Sequence, residues 1–200
     1  GDLFGWKQEN GLRKYRTAYI QVPRKNGKTT LASSIALLML FMDKERGSEI
    51  YCAASDRAQS GLVFEIAKGM ILNNKELSSR AKVFRNSITN ESKGNFFQAI
   101  SSDSNTKHGF NANCIIYDEL HTAKNRDLYD TLLTSTGARI EPLFISITTA
   151  GYDKNSICHE VYNYSKQVQN KLIEDSSFYS AIYEADLDDD ITDEEVWKKA

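Results

Sequence analysis

An α/β fold with a mainly parallel central sheet flanked by helices is predicted by three observations. Apolar strand-like runs alternate with helical stretches, one strand feeds a helix through Asn26-Gly27-Lys28-Thr29, and another ends in the paired acids Asp118-Glu119. Strands separated by helices must cross over, and so lie parallel.

The elements follow in order. Leu3-Phe4-Gly5-Trp6 opens the chain, with Trp6 read either as the edge of a core or as an anchor for a preceding segment. A turn at Gly11 and the basic stretch Arg13-Lys14-Tyr15-Arg16 lead into a first strand, Tyr19-Ile20-Gln21-Val22. The run from Leu31 to Met42 is apolar apart from Ser33 and Ser34, and it predicts a buried helix. Gly47 marks a turn before a second strand, Glu49 to Ala54. Asp56 is placed to cap the next helix, whose apolar face reads Ala58, Leu62, Val63, Ile66, Ala67, Met70 and Ile71.

Between Lys82 and Ile100 the pattern changes to short strand-like pieces, Lys82–Arg85, Ser87–Thr89 and Asn95–Ile100, broken at Asn86 and Gly94. A small β-hairpin or meander inserted in the fold is expected there. The polar stretch from Ser101 to Asn113 reads as a loop delivering the chain into the strand Cys114-Ile115-Ile116-Tyr117 and its two acids. Asp127 to Ser135 reads as a helix, and Leu143 to Ile147 as a strand running into Thr148-Thr149-Ala150-Gly151. A helix from Ser156 to Val168 and a strand from Ser177 to Tyr183 follow. Thr192-Asp193-Glu194-Glu195 has the spacing of a capping box opening a helix that contains Trp197.

Composition bounds the function. Two hundred residues, 40% of them hydrophobic, suffice for one α/β core, and no apolar run reaches membrane-spanning length. Cys52, Cys114 and Cys158 are odd in number and far apart, which fits reduced thiols in a cytoplasmic setting. His108, His121 and His159 lack metal-ligand spacing with Cys158, so no zinc site is expected. The net charge is −2, but eight acids and no Lys or Arg fall between Glu184 and Glu195. The remainder has 25 basic residues against 27 − 8 = 19 acidic ones, and that mildly basic body permits contact with a nucleic-acid backbone. The chain starts at Gly1 without an initiator Met, which suggests an excised fragment.

The chemistry lies in two motifs. Val22-Pro23-Arg24-Lys25-Asn26-Gly27-Lys28-Thr29 reads as a phosphate-binding loop with Val22 where the usual first Gly would stand. A strand entering a helix through Gly27 aims backbone N–H groups and the positive helix end at an anion, while Lys28 adds a mobile charge and Thr29 a metal-facing hydroxyl. Asp118, at the end of its strand, is placed to hold Mg²⁺ through water, and Glu119 to polarise the attacking water. Asn-Gly-Lys-Thr alone also describes a polar turn, and Asp118-Glu119 alone a solvated helix start. Together they point to nucleotide hydrolysis, with Lys28 and Asp118 expected to meet across adjacent strand tips. Thr148-Thr149 can cap a helix or sense the γ-phosphate from a strand beside that of Asp118.

Four stretches in order resemble the ATPase domain of the large terminase subunit of tailed bacteriophages. They are the loop from Val22 to Thr29, Cys52-Ala53-Ala54-Ser55 with Gln59, Tyr117-Asp118-Glu119-Leu120-His121, and Ile147-Thr148-Thr149-Ala150-Gly151. The resemblance implies a P-loop NTPase of the RecA-like (ASCE) type, with ATP and Mg²⁺ as cofactors. It also implies a motor that drives double-stranded DNA into a procapsid, normally joined to a C-terminal nuclease. Carried across by motif, Arg24, Lys25, Asn26, Gly27, Lys28, Thr29 and Thr30 bind ATP. Thr29 and Asp118 hold the metal, Arg24 and Lys28 contact the reacting phosphate, and Glu119 activates water. Thr148 and Thr149 match the coupling motif. The family places a basic residue before a Gly ahead of the acidic strand; here His108-Gly109 stands there with Lys107 adjacent, and Arg139 is a second candidate for this trans-acting role. The implied partners are double-stranded DNA, a homo-oligomeric ring on a capsid portal and the small terminase subunit, in the host cytoplasm and away from membranes. The family's adenine-reading segment would precede Gly1, and its nuclease acids would follow Ala200. Residues 1–183 are thus expected to form the ATPase body. The acidic 184–200 reads as a linker toward a nuclease domain or as a solvated tail.

Two other readings share the motifs. Asp-Glu-Leu-His resembles the acid box of helicase and repair translocases, which need a second RecA-like domain. A nucleotide-dependent assembly module would bind without turnover and would have no use for Glu119.

Overall fold

The structure, a computed structural model, describes residues 2–102, 109–185, 189, 190 and 192–197. Eight strands form one sheet: β1 (Thr17–Gln21), β2 (Glu49–Ala54), β3 (Lys82–Val83), β4 (Ser87–Asn90), β5 (Asn95–Ser101), β6 (Ala112–Asp118), β7 (Leu143–Thr148) and β8 (Phe178–Ile182), in the order β3-β4-β5-β2-β6-β7-β1-β8. From β5 to β8 every pairing is parallel, as the helical crossovers require. The expected meander is present at the other edge, where β3 and β4 are antiparallel. It does not stand apart from the fold, because β5 continues the main sheet alongside β2, with Glu49 opposite Phe96 and Ala54 opposite Ser101.

The helices are α1 (Asp2–Gly5), α2 (Lys28–Met42), α3 (Arg57–Leu72), α4 (Lys75–Arg80), α5 (Asp127–Ser135), α6 (Ile157–Gln169) and α7 (Glu194–Trp197). Strand side chains alternate between two cores. Ala18, Ile20, Ile50, Cys52, Ile116 and Ile145 join the core containing α2 and α3, while Tyr19, Tyr51, Ala53, Ile115, Tyr117 and Phe144 join that containing α5 and α6. A parallel sheet covered on both faces needs apolar residues at every position, and the apolar runs of β6 and β7 reflect that. All three cysteines are buried and free.

Several helices differ from the sequence reading in the face they bury. In α3 the buried positions are Ser60, Val63, Phe64, Ala67 and Ile71, while Leu62 is exposed. Phe64 is fixed by its packing on Phe97 of β5, 5.8 Å between ring centroids, a partner that helical periodicity does not reveal. Helix α2 is not buried all round, because Leu31, Leu38 and Met42 are exposed. Helix α4 has no buried residue and so no apolar periodicity to announce it; Asn74 caps it by accepting from Leu77 N at 3.0 Å. The cap expected at Asp56 is present, its carboxylate accepting from Gln59 N at 2.9 Å. A helix follows Thr192 as expected, α7 over Glu194–Trp197, and the Thr192 hydroxyl donates to Asp190 Oδ1 at 2.7 Å.

The N-terminal segment packs at the end of the sheet away from the phosphate loop. Trp6 is 57% exposed with Lys14 over its ring, so it is not a core edge. Arg13 enters the core in its place and pairs with Asp43 at the end of α2, Nη2 to Oδ2 2.9 Å. At the other terminus Glu184, the first acid of the acidic run, is bound to the body by Gln21 at 3.0 Å, Tyr162 at 2.9 Å and Lys166 at 3.1 Å.

Candidate active site

The site forms where β1, β7 and β6 end side by side. Gln21 lies opposite Thr148, and Asp118 lies opposite Ile147. The phosphate loop and the acidic strand are therefore not on adjacent tips: β7 lies between them and brings Thr148-Thr149 into the middle of the site. The two motifs still meet at one end of the sheet, with Lys28 Nζ 3.9 Å from Glu119 Oε1.

Gly27 precedes α2 in a left-handed conformation, φ 71°. A residue with a Cβ would be strained there, which explains the glycine. The turn leaves the first N–H groups of α2 without acceptors from its own helix, the arrangement that suits an anion. A cleft of about 420 Å³ opens in front of them, lined by Arg24, Lys28, Thr29, Glu119, His121 and Thr149, with Lys25, Gly27 and Thr30 on its loop side. Asn26 is in the loop and exposed, outside that lining. Lys28 is buried, and among the described residues its ammonium makes one hydrogen bond, a long one to the Pro23 carbonyl, 3.4 Å. Arg24 and Lys25 have no ion-pair partner among the described residues. Three cations thus face one carboxylate, a surplus that favours an anionic ligand.

The acids behave differently from one another. Asp118 is buried under the cleft, and burial, with the charge of Glu119 beside it, raises its pKa to about 6. Glu119 lies below the ordinary carboxylate range, first through its contact with His121 and also through Lys28, against the opposing pull of burial. One carboxylate is thereby kept ionised, while the other is a costly buried anion with no ion-pair partner among the described residues. That environment fits a divalent ion, with Asp118 and the Thr29 hydroxyl as protein donors. Among the described residues no group of three or more His, Cys, Asp and Glu could hold a metal, but Mg²⁺ needs only one or two protein ligands when water and phosphate complete its shell.

Folding raises the Asp118 pKa, so the folded state binds this proton more tightly than the unfolded chain. The contribution of Asp118 to stability is fully present below about pH 4 and is lost as pH rises through 6, a change of roughly 3 kcal/mol at most. Asp118→Asn is therefore expected to raise the thermal midpoint of the nucleotide-free protein at pH 7, and to lose that advantage as pH falls from 6 to 4. Melting curves across that range check this, and the same substitution should weaken Mg²⁺-dependent nucleotide binding.

The segment after the acids joins the parts together. Glu119 has φ 53° and leads into a 3-10 turn, Leu120–Thr122. The Thr122 hydroxyl lies 2.8 Å from the Glu119 carbonyl and 2.9 Å from Ser55 Oγ, which ties the acidic strand to the end of β2. The His121 backbone N–H donates to Thr148 Oγ1 at 3.1 Å, and its ring Nδ1 lies 3.1 Å from the same oxygen and 3.3 Å from Thr149 Oγ1. The threonine pair does not cap a helix; α6 is capped by Ser156, which accepts from His159 N. Sequence reasoning placed His121 in the acidic motif and excluded it as a zinc ligand, but assigned no role to it or to Thr122. Their position directly after the acids was the available signal.

The candidates for a trans-acting cation lie elsewhere. Lys107 and His108 fall outside the described residues. Arg139 is at the opposite end of the sheet, with its guanidinium held by Glu45 at 3.1 Å and by the carbonyls of Asn111 at 2.8 Å and Gly47 at 2.9 Å. Those bonds occupy the side chain in tying strand beginnings together, and they do not present it to a ligand. A second cleft, about 500 Å³, lies between α3 and β5 with Arg57 and Arg85 at its margins, away from both acids.

Comparison with known proteins gives the family. The chain is 29% identical over 194 residues to the terminase large subunit of Enterobacteria phage HK97, covering 92% of this chain and 36% of the relative. It is 36% identical over 92 residues to protein YmfN of Escherichia coli K12, covering 46% and 20% respectively. It thus spans between a fifth and about a third of the length of these curated relatives. The crystal structure of the HK97 large terminase superposes with a TM-score of 0.83 at 26% identity, over 93% of this chain and 39% of that one. The family described as terminase large subunit, ATPase domain, matches residues 1–167. The strand-end site and that match over most of its length lead to one conclusion: this chain belongs to the terminase large subunit ATPase domain family.

Proposed function

We propose that the chain is the ATP-hydrolysing motor part of a phage DNA-packaging enzyme, acting on double-stranded DNA from within a homo-oligomeric ring on a capsid portal. The small terminase subunit is the further partner, and the host cytoplasm is the setting. The observation that carries this reading is the placement of Lys28, Glu119 and Thr149 around one cationic cleft at the ends of three parallel strands. Among the described residues no helix is long and apolar enough to cross a membrane.

In this reading the first N–H groups of α2, Arg24 and Lys28 take the phosphates, and Lys25, Asn26, Gly27 and Thr30 shape the loop that does so. Thr29 and Asp118 hold Mg²⁺, which when bound neutralises charge on the phosphates. Glu119, kept ionised, orients the attacking water and accepts its proton. A cation from a neighbouring subunit, with Lys107 as the candidate, completes the charge balance. Such a residue accelerates hydrolysis ~10³-fold or more, so an isolated subunit is slow. Residues 184–200 lead from the ATPase body toward the nuclease part.

Thr148-Thr149 sits between the phosphate loop and the base, where a change at the γ-phosphate reaches it from either side. Thr149→Ala is expected to retain ATP binding and to lose DNA translocation. A packaging assay on the full-length protein checks this, and normal packaging by the variant would end the coupling role.

A further inference from the structure

Three oxygens converge on one ring nitrogen beside the proposed base. His121 Nδ1 lies 3.2 Å from Glu119 Oε2, 3.1 Å from Thr148 Oγ1 and 3.3 Å from Thr149 Oγ1. A ring nitrogen carries either one proton or one lone pair, so it satisfies these neighbours one at a time. Thr148 is already engaged, with its hydroxyl donating to the Thr149 carbonyl at 2.9 Å and accepting from the His121 backbone N–H at 3.1 Å. Glu119 Oε2 is the oxygen left over: it is buried and has no aligned donor. A buried carboxylate oxygen in that state gains from any donor that turns toward it.

A cation also lies near the carboxylate, Lys28, 3.9 Å from Oε1. Among the described residues its one hydrogen-bond acceptor is the Pro23 carbonyl at 3.4 Å, so a bound phosphate draws the ammonium away from Glu119. His121 is then the side chain that remains against the base. The left-handed backbone of Glu119, φ 53°, fixes the direction in which its side chain leaves the chain. The histidine is confined from behind as well, because a Cβ on Gly151 would lie 3.2 Å from His121 Cβ. A side chain at position 151 would crowd the histidine.

We propose that His121 is a positioning residue for ATP hydrolysis: through Nδ1 it holds Glu119 in one orientation, and it exchanges that hold with Thr148 and Thr149. When Nδ1 faces Oε2 the carboxylate is held, and when the threonine hydroxyls take the nitrogen it is released. The histidine transfers no proton to substrate. The base and the strand-end hydroxyls thus share one partner, so the state of one is set by the other. This inference rests on Glu119 being the base of an ATP hydrolase.

The test compares His121→Ala, His121→Asn and His121→Gln with wild type and with Glu119→Gln in the full-length protein. It reads kcat and KM for ATP at high protein concentration and the affinity for a fluorescent ATP analogue. Asn places a polar atom near the position of Nδ1, and Gln near that of Nε2. The expected result is a fall in kcat of about tenfold or more for Ala, with affinity within about twofold of wild type. Asn recovers most of that loss and Gln does not. A kcat for Ala within about twofold of wild type overturns the assignment, as does Gln performing as well as Asn. The Asn and Gln pair decides the question even if Ala destabilises the fold. Glu119→Gln keeps the two levels separate. If it hydrolyses ATP at the wild-type rate, the base assignment falls; if it is inactive while His121→Ala is unimpaired, only the role of His121 falls.

Discussion

Replacing Glu119 by Gln is expected to lower ATP hydrolysis by ~10²-fold or more, equivalent to about 3 kcal/mol in the barrier, while nucleotide binding persists. The amide keeps the shape of the side chain but cannot accept the proton of the attacking water. Its effect on binding has a definite direction, because the charge of Glu119 is one of the causes that raise the Asp118 pKa. Removing that charge makes Asp118 a better anion at neutral pH and a better donor to Mg²⁺. Affinity for ATP with Mg²⁺ should therefore be unchanged or improved. Single-turnover hydrolysis and equilibrium binding, measured together, distinguish this from general damage to the site. No hydrolysis by either the wild type or the variant would instead favour a module that binds nucleotide for assembly without turnover.

The second large effect concerns stability. Asp43→Ala is expected to cost about 3–5 kcal/mol, because it leaves the Arg13 guanidinium buried without its counter-charge. Both side chains are almost fully buried, 6% and 1% exposed, and Arg13 Nε already lacks a partner. Arg13 is always charged, so it cannot relieve the loss by releasing a proton. Its remaining contacts, a hydrogen bond from Nη1 to the Glu141 carbonyl at 3.0 Å, a weak one from Nη2 to Met39 Sδ at 3.7 Å and the Phe4 ring 5.6 Å away, do not replace a carboxylate. The midpoint of thermal unfolding should fall by ~10 °C, on the usual scaling for a domain of this size. Replacing both partners with apolar residues of similar volume should cost far less than Asp43→Ala alone, and urea unfolding of the three proteins checks the ordering. The pair joins the N-terminal segment to the end of α2, whose other end is the phosphate loop, so this stability bears on the helix that presents Lys28 and Thr29.

Much of the site was legible locally. A phosphate loop is a local object: strand, left-handed Gly27, Lys28 and helix follow one another within ten residues, and the sequence specifies each by residue type. The acidic strand is local in the same sense, with an apolar run ending in two carboxylates. The helix over 127–135 and the strands ending at Ala54 and Thr148 were marked by apolar runs between polar or turn-forming residues. The chemistry of each strand end could therefore be read from the residues alone, because a strand's length and its terminal residues depend on its own segment.

The tertiary structure alone decided which ends lie side by side. Strand order depends on crossovers of many residues, and no residue type records that β7 enters between β1 and β6. That insertion turns Thr148-Thr149 from a helix-cap candidate into a neighbour of both motifs and brings His121 against three oxygens. The same reason accounts for Phe64, whose burial depends on Phe97 from a distant strand, and for Arg139, whose basic side chain is tied down among strand beginnings rather than offered to a ligand. Contacts between residues far apart in sequence are set by packing, and packing exists only once the sheet is assembled.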